Sequence, residues 1–454
     1  MNTEYINYAA EFLEPWFQYQ RFIRRVPSIS VGLIHENEIV WTQAFGYADL
    51  RAKKKANRKT RYRIASISKL FTATALMQLV EQGKLRIEDP VQKHVDWFKN
   101  RIEDLSKITV IDILHHYSGL TRDGGTPHWS DSKFPTVEQL KIEVEHGVRI
   151  FPPGRRFKYS NFGYSIVGEV VKSASGMEYS KYVEQNIFRP LRLRDTFVDL
   201  DEDSKRNLAK GYGKYLLVEE RRIEFKDACT FAMAPATGFV STAPDLCKFI
   251  SAHFEGNNAL INDFSKRKMQ KLFWKDEERS EGYGIGHLAW LVQNEKLVGH
   301  SGRFIGFITR VNIDAKNKVG LVILTNSIDG PTHPLTDGTI HTLRYFRKHW
   351  REFSEKNRMK SYQNLVGRFR NRWGTLQISR IGGALVGFDL EEERPMDSLE
   401  RFQPTAGENE FKISQADGFD SVGERARFEV GRNGKASKLF IGPNSFDLDI
   451  VRIT

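Results

Sequence analysis

The sequence predicts a protein of the α/β (α+β) class over residues 1–357, followed by an antiparallel β domain over residues 358–454. Three observations predict this division. Apolar residues recur at helical spacing near the N-terminus and after residue 64, and three strand-length apolar runs lie between residues 296 and 327. Beyond residue 362, short β-like runs recur every eight to twelve residues, which is typical of an antiparallel barrel or sandwich. We expect a barrel.

The first elements follow from hydrophobic periodicity. Residues 3–23 have the spacing of a helix, which Pro15 can kink. Residues 28–34 and 39–48 are typical of two strands joined by a short polar turn. Residues 64–82 are apolar and rich in helix formers, and a glycine follows them, as at many helix C-termini. The chain therefore begins as helix, two strands and helix.

The later elements change in type near residue 358. Residues 84–248 combine several helices with long polar connections. Strands are predicted over residues 296–300, 307–313 and 319–326, and a helix over residues 334–356. The β-like runs of the second domain follow at residues 375–380, 384–390, 410–415, 426–430, 438–442 and 446–453.

Composition excludes several classes of protein. The 454 residues are 40% hydrophobic and 28% charged, which excludes a disordered or collagen-like chain. The two cysteines, Cys229 and Cys247, are too few for a disulfide framework or a thiolate zinc site, and Cys247 lies in an apolar stretch typical of core packing. No metal-binding motif accompanies them, so we expect no cofactor.

The net charge of +12 belongs to the first domain, since residues beyond 360 carry a net charge of −1. Eight of the thirteen residues from 51 to 63 are basic. Such a run can bind nucleic acid or an anionic membrane, but no aromatic-interleaved motif accompanies it. We interpret it as a solvated loop and expect no nucleic-acid partner.

The location follows from two absences in the sequence. No apolar run approaches the roughly 20 residues of a membrane span. The N-terminal segment contains Glu4, Glu11 and Glu14 and lacks the basic and apolar regions of a signal peptide. We therefore expect a cytoplasmic protein without a membrane span.

A serine and a lysine at helical spacing are the first candidate site. Ser66 and Lys69 open the predicted helix 64–82, so both side chains lie on one face, one turn apart. A serine hydroxyl needs a nearby base to act as a nucleophile, and a buried lysine is neutral enough to serve. The same pattern occurs at Ser130 and at Ser265, but in polar segments. Ser66 as a plain helix N-cap is the structural alternative.

Two further short patterns supply polar side chains. Tyr159 can transfer a proton if a nearby cation lowers its pKa, and Asn161 can hold a substrate carbonyl group. His300, Ser301 and Gly302 lie on the first of the three predicted strands, where the glycine allows close approach of another backbone. His300 as a purely structural histidine is the alternative.

Together the three patterns resemble the serine β-lactamase and penicillin-binding-protein superfamily, in its class C-like branch of esterases and D-amino-acid peptidases. The resemblance covers residues 20–350 and includes the stretches DILHHYSGL, TGFVSTAPDLCKF and YGIGH. It implies an antiparallel sheet flanked by helices, with an all-helical subdomain. The second domain resembles, more weakly, the lipocalin-like β-barrel that some members carry.

The resemblance also implies roles for individual residues. Ser66 would be the acylated nucleophile and Lys69 its activating partner. Tyr159 would be the general base of acylation and the acid that protonates the leaving group, with the division of roles between Lys69 and Tyr159 left open. Asn161 would hold the acyl-side carbonyl, and the peptide N–H groups of Ser66 and Arg303 would form the oxyanion hole. Ser301 and Gly302 would line the substrate site.

His300 departs from the pattern, because many relatives have lysine at this position. An imidazole is neutral for half the time or more near pH 7, so it anchors a substrate carboxylate more weakly. This favours an esterase or peptidase that uses Ser66, Lys69, Tyr159 and His300 as one network. The alternatives are a β-lactamase or penicillin-binding carboxypeptidase, and a catalytically degenerate ligand-binding protein.

Two rival sites are set aside. His115 and His116 could be a metal pair, but no third ligand has fitting spacing, so we interpret them as structural. Ser301 nearly completes a nucleophile elbow, but Arg303 stands where that motif has glycine. We expect a small ester or peptide substrate. We also expect the C-terminal domain either to form a homo-oligomer or to act as a lid over the active-site cleft.

Overall fold

The computed structural model describes residues 4–292, 294–353, 362–416 and 421–449. It contains two compact units. Val26–Thr332 form the first, which we call the catalytic unit, and Met1–Arg25 together with His333–Thr454 form the second, the barrel unit. The predicted boundary between residues 357 and 358 lies outside the described residues.

The α-helices of the described residues vary from one turn to five. In chain order they are α1 (Glu4–Ile23), α2 (Ser68–Glu81), α3 (Val110–Leu114), α4 (His128–Asp131), α5 (Val137–His146), α6 (Asn161–Ser175), α7 (Tyr179–Val183), α8 (Arg189–Leu191), α9 (Glu202–Lys205), α10 (Ala243–Ser251), α11 (Asp263–Gln270) and α12 (Thr332–His349).

The strands form one large sheet, one barrel and two small two-stranded sheets. In chain order they are β1 (Ser28–His35), β2 (Glu38–Asp49), β3 (Lys54–Lys55), β4 (Tyr62–Arg63), β5 (Gly211–Leu216), β6 (Arg221–Phe225), β7 (Val240–Ser241), β8 (Trp274–Asp276), β9 (Glu281–Tyr283), β10 (Leu288–Val292), β11 (Glu295–Phe304), β12 (Phe307–Asp314), β13 (Val319–Thr325), β14 (Gly367–Arg370), β15 (Thr375–Ile381), β16 (Ala384–Asp389), β17 (Glu400–Pro404), β18 (Glu410–Gln415), β19 (Arg425–Val430), β20 (Ala436–Ile441) and β21 (Asn444–Leu448).

The catalytic unit is built on a nine-stranded sheet in the order β3-β2-β1-β13-β12-β11-β10-β9-β8. Neighbouring strands are antiparallel, with Val31 of β1 opposite Ile323 of β13. Every residue of β1 and of β13 is buried, which agrees with their place inside the sheet. The predicted antiparallel sheet is confirmed.

Helices between β4 and β8 complete the catalytic unit. α2 is buried over most of its length, and its Phe71 ring is stacked on Phe249 of α10 with centroids 3.6 Å apart. α10 lies against the sheet, where a Cβ added to Gly32 would approach Cys247 Sγ to 2.6 Å. Cys247 is therefore a core residue, in agreement with its apolar sequence context.

Two predicted elements differ in their bounds. The predicted helix 64–82 begins as a 3-10 turn, Ala65–Ile67, before α2 starts at Ser68. The strand predicted over residues 296–300 continues as β11 to Phe304, so Ser301, Gly302 and Arg303 lie within it. A glycine in the middle of a run suggests a break, whereas here Gly302 allows a close approach inside the strand.

The barrel unit contains an eight-stranded closed barrel, β14 to β21 in sequential order, which confirms the predicted β-barrel. Its core includes Phe369, Phe402, Phe411 and Phe428. Six of the strands match predicted β-like runs, and β14 and β17 were not predicted. The last residues of the runs predicted at 334–356 and 446–453 lie outside the described residues.

α1 belongs to the barrel unit. It runs through Pro15 without interruption, and its Phe12 ring is stacked on Phe388 of β16 at 3.9 Å. Trp16 is fully buried and donates its indole N–H to the carbonyl of Glu392 at 2.8 Å. The N-terminal helix thus covers part of a barrel that the chain forms more than 340 residues later.

The interpretation of residues 51–63 as a solvated loop is correct for only part of the run. Six of its basic residues are exposed, but Arg61 and Arg63 are buried. Arg61 lies 2.5 Å from Asp195 and Arg63 lies 3.1 Å from Asp199, because a buried guanidinium requires a carboxylate partner. Within the part of the chain that the structure describes, no helix has the length and apolarity needed to cross a membrane.

Candidate active site

Ser66 lies in the 3-10 turn that leads into α2. The turn begins at Ala65 with φ 51°, in the left-handed region that is costly for a residue with a Cβ. Ser68 Oγ donates a hydrogen bond to the carbonyl of Ala65 at 2.6 Å, which helps to hold this conformation. Ala65 and Ile67 are fully buried, but Ser66 is only half-buried. The strained turn therefore leaves the Ser66 hydroxyl accessible.

Lys69 lies one helical turn after Ser66. Its amine is 3.2 Å from Ser66 Oγ and donates to Asn161 Oδ1 at 2.7 Å and to the carbonyl of Ala236 at 2.8 Å. The side chain is fully buried, and this burial holds the pKa of Lys69 well below its usual range. The charge of Asp123 opposes that shift only in part. Burial thus favours the neutral form of the amine beside the serine.

Tyr159 and Asn161 lie at the start of α6. Ser160 caps the helix, since its Oγ accepts the N–H of Gly163 at 2.8 Å. The Lys69 amine lies 4.8 Å from the centre of the Tyr159 ring. Burial raises the pKa of Tyr159 above its usual value, and its hydrogen bond with Ser66 opposes this only in part. The expected lowering by a nearby cation is therefore outweighed, and Tyr159 is a neutral phenol.

His300 lies on β11 and is almost fully buried. Its Nδ1 is 2.6 Å from the carbonyl oxygen of Ser301, so Nδ1 carries the proton, and Nε2 accepts from the Tyr283 hydroxyl at 3.2 Å. Burial lowers the pKa of His300 to about 3, and the neighbouring Lys69 adds to this effect. The imidazole is uncharged near pH 7 and offers no cation to a substrate carboxylate.

Gly302 brings β11 against the turn that holds Ser66. A Cβ at this position would lie 2.2 Å from the carbonyl oxygen of Ile64, so no larger residue fits without moving one of the two backbones. Thr309 of β12 donates to the same carbonyl at 3.2 Å. The close approach fixes the distance between the strand and Ser66.

The predicted site residues meet at one cavity of about 800 Å³. Those that line it are Ser66, Tyr159, Asn161, His300, Ser301 and Arg303. Lys69 lies buried beside Ser66, and Gly302 faces the turn. A separate cavity of about 760 Å³ contains none of the predicted site residues.

Several residues that touch this site are not predicted by the sequence patterns. Asp123 accepts the Asn161 Nδ2–H at 2.6 Å, and Arg122 lies 3.3 Å from Asp123. Tyr283 contacts His300. Arg122 and Asp123 follow the stretch DILHHYSGL, and Tyr283 is the first residue of YGIGH, two stretches that carry the family resemblance. Their contacts with the site join residues that are far apart in the chain. Within the described residues no group of three or more His, Cys, Asp or Glu side chains could hold a metal ion.

A serine in a 3-10 turn, a buried lysine at the start of the helix that follows and an antiparallel strand packed against the turn form the arrangement of β-lactamase-like folds. A model of the Beta-lactamase family matches residues 13–342. The chain belongs to this family, which confirms the resemblance found in the sequence.

Solved structures extend the likeness to the whole chain. The octameric penicillin-binding protein homologue from Pyrococcus abyssi is 25% identical with a TM-score of 0.66, and the match covers 96% of this chain and 99% of that one. The D-stereospecific amidohydrolase from Streptomyces sp. is 25% identical with a TM-score of 0.58 over 69% of this chain and 94% of that one.

Among curated proteins, protein flp of Staphylococcus aureus is 25% identical over 309 residues. These residues are 66% of this chain but 60% of flp, so the match leaves two fifths of flp without a counterpart.

Proposed function

We propose that the chain is a serine hydrolase that cleaves small esters or peptides, including peptides with D-amino acids, through an acyl-enzyme on Ser66. The observation that carries the proposal is the fully buried Lys69 amine, 3.2 Å from Ser66 Oγ. A neutral amine has two N–H groups and one lone pair. The two N–H groups donate hydrogen bonds to Asn161 Oδ1 and to the carbonyl oxygen of Ala236. That lone pair is left for the Ser66 proton.

In the acylation step, Lys69 Nζ accepts the Ser66 hydroxyl proton while Oγ attacks the substrate carbonyl carbon. The peptide N–H groups of Ser66 and Arg303 stabilise the oxyanion, and Asn161 orients the acyl-side carbonyl. The bond to the leaving group then breaks. Tyr159 donates its phenol proton to the leaving group and takes the proton that Lys69 had accepted, so the charges balance.

Deacylation reverses these roles. A water molecule attacks the acyl carbon and gives a proton through Tyr159 to the Lys69 amine. The tetrahedral intermediate then breaks to return the Ser66 hydroxyl and release the acid. Because burial raises the pKa of Tyr159, its phenol transfers protons without accumulating as the phenolate.

The substrate class rests on two findings. One similar structure is a D-stereospecific amidohydrolase, which supports peptides with D-amino acids. The uncharged His300 favours substrates whose binding does not need a cation at this position. The second candidate is a β-lactamase or penicillin-binding carboxypeptidase, which the penicillin-binding protein homologue supports. Hydrolysis of a chromogenic cephalosporin distinguishes it from the first.

A catalytically degenerate binding protein is less well supported, because the contacts among Ser66, Lys69 and Asn161 are all present. We also propose that the chain forms a homo-oligomer, since the similar protein from Pyrococcus abyssi is octameric. Light scattering of the full chain, compared with a chain ending at residue 353, tests whether the C-terminal domain is needed for assembly. The predicted cytoplasmic location stays a prediction.

The test of the function is Ser66→Ala. We expect turnover of a p-nitrophenyl ester to be abolished and labelling by a fluorophosphonate probe to disappear. Ser130→Ala is the matched control, since Ser130 is also followed by a lysine three residues later, but that lysine is exposed. Full ester turnover in Ser66→Ala contradicts the proposal.

A further inference from the structure

His116 belongs to the histidine pair that the sequence suggested to be structural, and it accepts hydrogen bonds from the backbone N–H groups of the residues before and after Tyr159. Its carbonyl oxygen accepts the N–H of Lys158 at 2.7 Å. Its Nδ1 accepts the N–H of Ser160 at 3.1 Å. Tyr159 therefore lies between two backbone groups that are hydrogen-bonded to the same residue.

The imidazole of His116 also contacts the Tyr159 side chain. The two ring centroids are 4.3 Å apart, and the His116 ring lies 4.6 Å from that of Tyr283, which bonds to His300. Its main chain has φ 64°, in the left-handed region that most side chains avoid. One strained, fully buried residue thus touches the proposed proton-transfer residue and the partner of the neutral histidine.

The hydrogen bond to Ser160 also fixes the tautomer of His116. Because Nδ1 accepts an N–H, the proton of the neutral ring is on Nε2. Nε2 is buried and has no hydrogen-bond partner among the described residues. An apolar side chain would avoid the cost of burying this N–H, so the acceptor at Nδ1 is the feature that a histidine adds here.

We propose that His116 is a positioning residue that holds the Tyr159 hydroxyl in line with Ser66. The proposal rests on the proposed function only in that Tyr159 transfers a proton there. It assigns the second histidine of the HHYSGL segment a role in catalysis through Tyr159, with no contact to the substrate.

The variants His116→Asn and His116→Leu separate the acceptor from the bulk of the side chain. Asparagine and leucine have the same branched shape, but only asparagine has an oxygen at the position of Nδ1, and it tolerates a positive φ. We expect His116→Leu to lower kcat for a p-nitrophenyl ester about 10²-fold, with KM changed less than about 2-fold, since a displacement near 1 Å has that effect. We expect His116→Asn to remain within about 5-fold of the unsubstituted protein.

A double-mutant cycle tests whether the effect passes through Tyr159. In a Tyr159→Phe protein, adding His116→Leu is expected to lower kcat by less than about 2-fold, because the hydroxyl to be positioned is gone. His115→Leu is the matched control, since that ring is stacked on Phe273. A full 10²-fold loss in the Tyr159→Phe protein, or an unchanged kcat in folded His116→Leu, overturns the proposal.

A measurement on the unsubstituted protein needs neither activity nor the leucine variant. The ¹⁵N shifts of labelled histidine, assigned by the signal lost in His116→Asn, are expected to show an Nε2–H tautomer. A proton on Nδ1 overturns the proposal whatever the outcome of the kinetics. Active Ser66→Ala protein would contradict the proposed function and leave this tautomer as predicted, so the two failures are distinguishable.

Discussion

Burial disfavours charge at the inner end of the active-site cavity, whereas the rim of the cavity carries exposed positive charges. The inner end comprises Ser66, Lys69, Tyr159, Asn161 and His300, and burial shifts the pKa of each of its titratable groups toward the neutral form. The rim carries exposed cations at Arg122, Lys214, Arg279 and Arg303. Proton transfer needs neutral groups near one another, whereas attraction of a substrate needs charge in contact with water.

This difference explains how a strongly basic unit contains an uncharged reaction centre. Lys69 is counted as a cation in the composition, yet its burial lowers its pKa well below the usual range, and His300, which is counted as neutral, has its pKa lowered to about 3. The positive charge that a substrate meets comes from the rim. Substitutions at the inner end and at the rim of the cavity test this difference in charge.

The largest effect is expected for Lys69→Met, which keeps the length of the side chain and removes the lone pair. We expect kcat/KM for a p-nitrophenyl ester to fall about 10²-fold to 10⁴-fold, the range that a general base contributes. Initial rates under single-turnover conditions measure it. Lys133→Met is the control, since Lys133 is exposed in another copy of the same pattern. A loss below tenfold would show that the amine is not the base.

The neutrality of the buried histidines predicts acid sensitivity. Burial lowers the pKa of His287 to about 4, so between pH 6.5 and pH 4 the unfolded chain binds a proton that the folded chain does not. The free energy of unfolding therefore falls as the pH falls through this window, by up to about 3 kcal/mol from this residue.

Urea unfolding at several pH values checks this prediction. His287→Asn is expected to lose less stability between pH 6.5 and pH 4 than the unsubstituted protein, whatever its stability at pH 7. Substitution of the exposed His146 by asparagine is the control and should leave the pH dependence unchanged. Parallel curves for His287→Asn and the unsubstituted protein would contradict the assignment.

Asp123 connects the two regions, because it accepts from Asn161 at the inner end and pairs with Arg122 at the rim. Its negative charge raises the pKa of Lys69. Asp123→Asn is therefore expected to move the acidic limb of the kcat/KM profile to lower pH. We also expect kcat/KM at the optimum to fall about tenfold, because the hydrogen bond that orients Asn161 is altered. A limb that moves to higher pH would contradict the sign.

The smallest effect is expected at the rim. Arg303→Ala keeps the peptide N–H proposed for the oxyanion hole and removes only the side-chain charge. We expect kcat/KM to fall about 3-fold to 5-fold for an ester that carries a carboxylate, and to change little for a neutral ester or in 1 M salt. Lys59→Ala, in the exposed part of residues 51–63, is the control. Equal losses for both esters would show that the side chain acts by shape.

The sequence predicted the parts of the site that depend on local geometry. Ser66 and Lys69 are three residues apart where a 3-10 turn continues into α2, so their spacing was sufficient to place them together. The contacts of Asp123, Tyr283 and His116 depend on packing between distant segments. The absence of charge on His300 depends on burial, which a short sequence motif does not predict.

The fold shows the same limit. The all-buried strands β1 and β13 and six of the barrel strands were predicted, because their apolar runs are long enough to stand out. β14 has four residues, two of them arginine, and β17 ends in proline, so neither has the composition of a strand. The closure of the barrel supplies the pairing that these two sequences lack alone.

The place of α1 in the barrel unit has a consequence for biosynthesis. Residues 4–23 are translated before the catalytic unit, whereas the barrel strands that their aromatic side chains contact are translated after it. The catalytic unit is one continuous segment and can fold as soon as residue 332 has emerged. Until the barrel strands have been translated, Phe12 and Trp16 lack the residues that bury them, so the nascent chain exposes apolar side chains to which a chaperone can bind.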